Sequence, residues 1–252
     1  MSDRHSESIL RLEDVSLRAT IGSGFLLQDF TCDLHQGKKI GVVGVSGSGK
    51  TSLLRLLNRL VSPSQGKFFF RDLPADHFAT IKLRQMVVLS PQEPKLLGMK
   101  TGDALAYPLR LQRLPEPEIR QRVDTWVDLL QIQQQWLNKT ELQLSLGQRQ
   151  LIALARSLVM QPQVLLLDEP TSALDVGTAT RVLKVLEDLN QNQNLTIVMV
   201  NHQLELIKNF CDRWLLLEEG KLIEDLRANT FDWNSLKQKL MRSRSTEELE
   251  WS

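Results

Sequence analysis

An α/β fold with a mainly parallel sheet is predicted by three features of the sequence. A short aliphatic strand, Ile40-Gly41-Val42-Val43, enters a glycine-rich loop that opens directly into an apolar, helically spaced run, Leu53-Leu54-Arg55-Leu56-Leu57. Two further continuous aliphatic runs, Val164-Leu165-Leu166-Leu167 and Thr196-Ile197-Val198-Met199-Val200, lack the alternation of a half-exposed strand. Such runs suit strands covered on both faces, as parallel sheets are. Between them residues 181–189 carry the spacing of a crossover helix.

The remaining elements follow in order. Residues 1–8 are polar and have no signal-peptide apolar core, so a polar N-terminal tail is expected. Residues 9–17 and 25–34 alternate as strands and form an N-terminal antiparallel β portion. The helix that follows the glycine-rich loop is expected to end near Leu60, where Ser62-Pro63-Ser64-Gln65-Gly66 breaks the pattern. Lys67-Phe68-Phe69-Phe70 is a short strand, 78–85 a helix and 86–89 another strand. From Glu93 to about Leu142 strand signals vanish, and a helical insert spanning about 93–160 is expected. In it Trp126, Val127, Leu129, Leu130 and Ile132 are expected to form an apolar helix face, with Pro115 and Pro117 separating two helices. Residues 214–217 and 221–223 form a closing hairpin around Glu219-Gly220. A short amphipathic helix is expected at 231–241, in a C-terminal segment of 227–252 beyond a domain spanning 9–226.

Composition narrows the class. A 42% hydrophobic and 24% charged content is ordinary globular usage and excludes a disordered or fibrous chain. The net charge of +1 gives no bulk attraction to nucleic acid, and no nucleic-acid partner is expected. Cys32 and Cys211 are too few for a disulfide scaffold and are expected as two buried thiols in a reducing compartment. No apolar run approaches the roughly eighteen residues of a membrane span, so the protein is expected to be soluble by itself and to meet a membrane only through a partner.

The loop Gly44-Val45-Ser46-Gly47-Ser48-Gly49-Lys50-Thr51 fits G-x-x-x-x-G-K-[ST]. Strand, loop and helix are the context that a phosphate-binding loop requires. A triphosphate carries dense negative charge, so backbone N–H groups must curl around it. Gly47 and Gly49 supply the backbone freedom, and the helix that starts here points its positive dipole end at the anion. Lys50 should reach the β/γ oxygens and Thr51 should offer its hydroxyl to Mg²⁺; Ser52 completes the set of nucleotide-binding residues. Leu166-Leu167-Asp168-Glu169-Pro170 ends an aliphatic strand in two carboxylates. Asp168 should hold Mg²⁺ and Glu169 should polarise the attacking water. An Asp-Glu-Pro run is also a common helix N-cap, and that alternative stands beside the first.

Leu144-Ser145-Leu146-Gly147-Gln148 opens a strongly patterned helix with Leu151, Leu154, Ala155 and Leu158 on one face. A Ser hydroxyl and open N–H groups there make a second anion site. In order, residues 44–51, Gln92, 144–148, Asp168 and Glu169, Ser172-Ala173-Leu174-Asp175 and His202 resemble the motifs of the ATP-binding cassette (ABC) ATPase family, over residues 12–223. The resemblance implies the ABC ATPase fold, with ATP and Mg²⁺ as ligands. It implies two cassettes bound head to tail, each ATP lying between one chain's phosphate loop and the other's Ser145, Gly147 and Gln148. Gln92 would couple metal and water to the membrane partner, Asp175 would lie at the dimer seam and His202 would contact the γ-phosphate. It further implies a separate transmembrane permease, docked on residues 98–112, and a place on the cytoplasmic face of the inner membrane. Segment and size resemble single-cassette proteins paired with short permeases, including the iron-export type; amino-acid and metal importers look similar there. A soluble ABC-type ATPase acting on DNA or ribosomes is the alternative, but the long coiled coils and second cassette of those types are absent from this sequence. Two positions depart from the family pattern. Ala19 stands where an aromatic residue usually stacks on adenine, with Phe25 the nearest aromatic downstream, and Leu146 stands where glycine is usual.

Overall fold

A computed structural model describes residues 7–19, 22–227 and 233. The helix expected at 231–241 therefore falls almost wholly outside the described residues, as does most of the N-terminal tail.

The chain runs β1 (Ser8–Arg18), β2 (Phe25–His35), β3 (Lys39–Gly44), α1 (Lys50–Leu57), β4 (Gln65–Phe70), β5 (Leu73–Pro74), α2 (Thr80–Met86) and β6 (Val87–Ser90). Then come α3 (Thr101–Leu111), α4 (Glu116–Leu129), α5 (Leu146–Leu158), β7 (Val164–Asp168), α6 (Val176–Gln193), β8 (Thr196–Val200), α7 (Leu204–Ile207), β9 (Arg213–Glu218) and β10 (Lys221–Arg227). Among the described residues these strands make two sheets. One is antiparallel, in the order β2-β1-β4-β5. The other runs β10-β9-β3-β8-β7-β6; its five strands from β9 to β6 are parallel, and β10 closes the edge as an antiparallel hairpin.

The fully buried strands explain the continuous aliphatic runs. Along β7, Val164 and Leu166 face the space between the two sheets, where Leu53, Leu54, Leu56 and Leu57 of α1 pack against Leu12, Leu27 and Phe30. Leu165 and Leu167 face the other way, against Ile152, Ala155, Val182 and Leu186 of α5 and α6. Side chains alternate across a strand, so both parities must be apolar when both faces are covered. Trp214 of β9 lies across Gly41 of β3, where any side chain would collide with its ring.

The helical insert differs from expectation in two details. Leu129 is 48% exposed and does not belong to the buried face of α4. That face is Ile119, Val123, Trp126 and Val127, spaced three and four apart, and Leu129 falls off the stripe. Pro115 precedes α4, whereas Pro117 lies inside its first turn, where a missing N–H costs nothing. Within the 98–112 segment, Ala104, Leu105, Ala106 and Leu109 are buried core, while Leu111 is exposed.

Candidate functional site

The phosphate loop connects the C-terminal end of β3 to the N-terminus of α1. Gly47 and Gly49 have φ of +72° and +101°, the left-handed region that favours glycine. A Cβ on Gly49 would also lie 2.5 Å from the Leu26 carbonyl oxygen, so both conformation and space require glycine. Gly49 caps α1 without a side chain, so the first-turn N–H groups have no side-chain acceptor there. Lys50 is buried; its Nζ donates to the carbonyl oxygens of Gly44 at 3.0 Å and Val45 at 2.6 Å, and stands 3.5 Å from Ser48 Oγ. A cation thus sits inside the curl of the loop. Val45, Thr51 and Ser52 are half-buried and Ser46 is exposed.

Parallel topology brings β7 and β8 alongside β3, so their C-terminal ends meet at the loop, where open α/β sheets bind ligands. The Thr51 hydroxyl donates to Asp168 Oδ2 at 2.9 Å, joining loop and β7 across 117 residues of chain. Burial pushes the Asp168 carboxyl up, and the Thr51 hydrogen bond partly opposes this. Both are hard oxygen donors, the set a Mg²⁺ ion takes. Glu169 Oε1 stands 2.9 Å from His202 Nε2. Glu169 has a left-handed backbone, φ +52°, which a non-glycine residue holds only where its surroundings over-determine it. Its N–H donates to the Val200 carbonyl at 2.9 Å, and its own carbonyl accepts from Gln150 Nε2 at 2.6 Å and Ser172 Oγ at 3.1 Å. The run after β7 does not cap a helix: α6 begins at Val176, and Asp175 is its N-cap, accepting from the Thr178 N–H at 2.9 Å.

Ser145 is the N-cap of α5 in a reciprocal capping box. Its Oγ accepts from the Gln148 N–H at 3.2 Å, and Gln148 Oε1 accepts from the Ser145 N–H at 3.0 Å. The serine is exposed, and its O–H proton remains available to an anion. A Cβ on Gly147 would lie 2.5 Å from the Ala173 carbonyl oxygen, so glycine lets α5 pack against the 171–174 turn. Leu146 is 52% exposed and has no such constraint. Ser145, Gly147 and Gln148 line a groove of about 540 Å³ with Asp175, Thr178 and Arg181; no phosphate-loop residue lines it. Gln92 is exposed, two residues beyond the end of β6.

Sequence reasoning missed the side chains that hold these parts together. Gln150 is buried; besides its bond to Glu169, its Nε2 is 3.1 Å from Ser172 Oγ and its Oε1 accepts from the Ala173 N–H at 2.9 Å. Asn201, also buried, donates to Thr171 Oγ1 at 2.8 Å, and Thr171 donates to Gln203 Oε1 at 3.1 Å. The available signal was a glutamine on the same helical face as Leu154 and Leu158, where an apolar residue is expected.

The chain is 37% identical over 204 residues to a methionine import ATP-binding protein of Bacillus cereus, covering 79% of this chain and 60% of that relative's length. Its structure is similar to cbiO1 from Clostridium perfringens, described as part of an ABC transporter complex (TM-score 0.78, 27% identity, 94% of each chain covered). It shares its fold with the dimeric ATP-binding cassette MJ0796 bound to ADP and Pi (TM-score 0.82, 24% identity, 88% of this chain and 100% of that one). Residues 27–172, more than half of the chain, match the family model described as ABC transporter, and the chain belongs to the ABC transporter family.

Proposed function

We propose that this chain binds and hydrolyses ATP as the energy-coupling subunit of a membrane transporter whose spans come from a separate permease. The observation that carries the reading is the convergence of the Thr51–Asp168 and Glu169–His202 pairs on the phosphate loop. Residues 44–52 would take the triphosphate through backbone N–H groups, with Lys50 Nζ turning from the loop carbonyls to the β/γ oxygens. Thr51 and Asp168, with Gln92, would hold Mg²⁺, which when bound neutralises charge on those oxygens. Glu169 would accept the proton of the attacking water, and His202, at hydrogen-bond distance, would hold that carboxylate in place and face the γ-phosphate.

Ser145, Gly147 and Gln148 form an anion site in a groove of their own. They would therefore complete the site of a second copy, and the γ-phosphate would join the two halves. Among the described residues no helix is long and apolar enough to cross a membrane, which is consistent with a peripheral subunit on the cytoplasmic face of the inner membrane. Exposed Leu97 and Leu111, flanking the buried part of the 98–112 segment, would face the permease.

The test is Glu169→Gln. ATP binding should persist while steady-state hydrolysis falls roughly 10²–10⁴-fold, and ATP with Mg²⁺ should convert monomer to dimer on a sizing column where ADP does not. Hydrolysis within about threefold of wild type would remove Glu169 from the chemistry.

A further inference from the structure

Between Gln92 and α3 the chain makes a turn that its own residues do not favour. Leu97 has φ +60° and is 56% exposed. A bulky residue holds that left-handed conformation only where its surroundings impose it, and an exposed side chain does not do so by its own packing. The neighbours are held instead. The Leu96 N–H donates to Glu141 Oε2 at 2.8 Å, and the Lys95 carbonyl accepts from Arg156 Nη1 at 2.8 Å. The Met99 N–H donates back to the Leu96 carbonyl at 3.1 Å, and the Leu96 side chain is fully buried.

Of these contacts, the one to Glu141 leads elsewhere, because its carboxylate is divided. Oε2 takes the Leu96 N–H, while Oε1 stands 3.6 Å from Arg149 Nη1, one turn into α5. The two charged side chains are 23% and 29% exposed, so solvent screens them less than a surface pair. The backbone of Glu141 opens a single helical turn, Glu141–Gln143, and its carbonyl accepts from the Leu144 N–H at 3.3 Å, one residue before the Ser145 cap. Thr140 closes that turn, its N–H donating to Gln143 Oε1 at 2.9 Å. The two stretches already meet at one place, where the Thr101 N–H and Oγ1 donate to the Lys139 carbonyl at 2.9 and 3.0 Å. One point of attachment leaves a hinge. Glu141 supplies a second, and two points fix an angle.

We propose that Glu141 is a positioning residue. It locks the angle between the 95–97 turn and the start of α5, and thereby sets the direction in which Ser145 and Gln148 face. The lock is a property of the single chain. Its consequence, a correctly aimed Ser145 for the nucleotide of a second copy, rests on the two-copy reading above.

Amide hydrogen exchange of the nucleotide-free full chain tests the lock, and sizing of the Glu169→Gln chain with ATP and Mg²⁺ tests its consequence. Glu141→Ala should speed exchange about tenfold in peptides covering 95–97 and also in those covering 144–148, since a charge-assisted bond is lost at the first and its restraint at the second. In the Glu169→Gln background it should raise the protein concentration needed for the ATP-driven dimer about tenfold, while ATP affinity stays within about twofold because the phosphate loop lies on another element. Glu141→Gln keeps an acceptor for the Leu96 N–H and should recover most of both effects. Faster exchange at 95–97 with 144–148 unchanged would overturn the proposal, because Glu141 would then hold the turn alone. A parallel loss of ATP affinity, or faster exchange throughout the sheets, would overturn it too, since the residue would then support the fold at large. An unchanged dimer midpoint beside a dimerising parent would remove the positioning role. A parent Glu169→Gln chain that stays monomeric at saturating ATP would instead sink the two-copy reading, and the exchange at 144–148 would still decide the lock.

Discussion

Gln150→Leu removes the amide that ties α5 to the turn after β7 while keeping an apolar body of similar size. Three contacts disappear: Nε2 to the Glu169 carbonyl at 2.6 Å, Nε2 to Ser172 Oγ at 3.1 Å, and the Ala173 N–H to Oε1 at 2.9 Å. The Glu169 carbonyl keeps its bond from Ser172 Oγ, so its loss is partial. The Ala173 N–H loses its acceptor at a half-buried position, the costlier outcome, since an unmet donor bears its full desolvation penalty of about 1–3 kcal/mol. With a net bond worth about 1 kcal/mol, the sum is roughly 2–4 kcal/mol, or about 4–16 °C in Tm for a chain of this size. Glu169 also holds a left-handed backbone that the lost contact helps impose, so its carboxylate should wander. Urea unfolding should therefore show a lower midpoint at unchanged m, and hydrolysis should fall further than ATP affinity does. A destabilisation under about 0.5 kcal/mol with unchanged kcat would show that Gln150 neither stabilises the turn nor positions Glu169.

Lys50→Ala should raise the Kd for a labelled ATP analogue by at least about tenfold, because a cation buried in the loop is lost; unchanged affinity would mean the loop is not used. Asp168→Asn should raise the Tm of the nucleotide-free chain by a few degrees at neutral pH. The sign follows from burial, which raises the folded-state carboxyl above its unfolded value: the stabilising protonated form is complete below the unfolded value and is lost as pH rises through the folded one. Thermal scans should accordingly show the gain disappearing as pH falls toward 4, and a gain independent of pH would refute it. Gly147→Ala should cost roughly 1–3 kcal/mol, because its Cβ meets backbone at 2.5 Å and not a flexible side chain; a wild-type denaturation midpoint would contradict that packing.

What could be read from the sequence was whatever the chain encodes within one element. The phosphate loop needs its glycines, lysine and threonine side by side, and it is followed at once by the helix that aims its N–H groups. The aliphatic runs 164–167 and 196–200 report burial on both faces wherever the strands lie in the sheet. Ser145 at the start of a patterned helix was legible in the same way, while its capping box with Gln148 emerged only in the folded chain. Tertiary structure decided everything that depends on which ends meet. Nothing local pairs Thr51 with Asp168 across 117 residues or sets Glu169 against His202; parallel β3, β7 and β8 do so by bringing their C-terminal ends together. Leu129 fell outside the core because a helix's buried stripe is fixed by the surface it packs on, and one hydrophobic residue more or less in sequence does not move it. Gln150 shows the same limit from the other side. A buried amide is tolerated only where its partners are, and those partners, Glu169 and Ala173, come from a turn that only the folded chain places beside it.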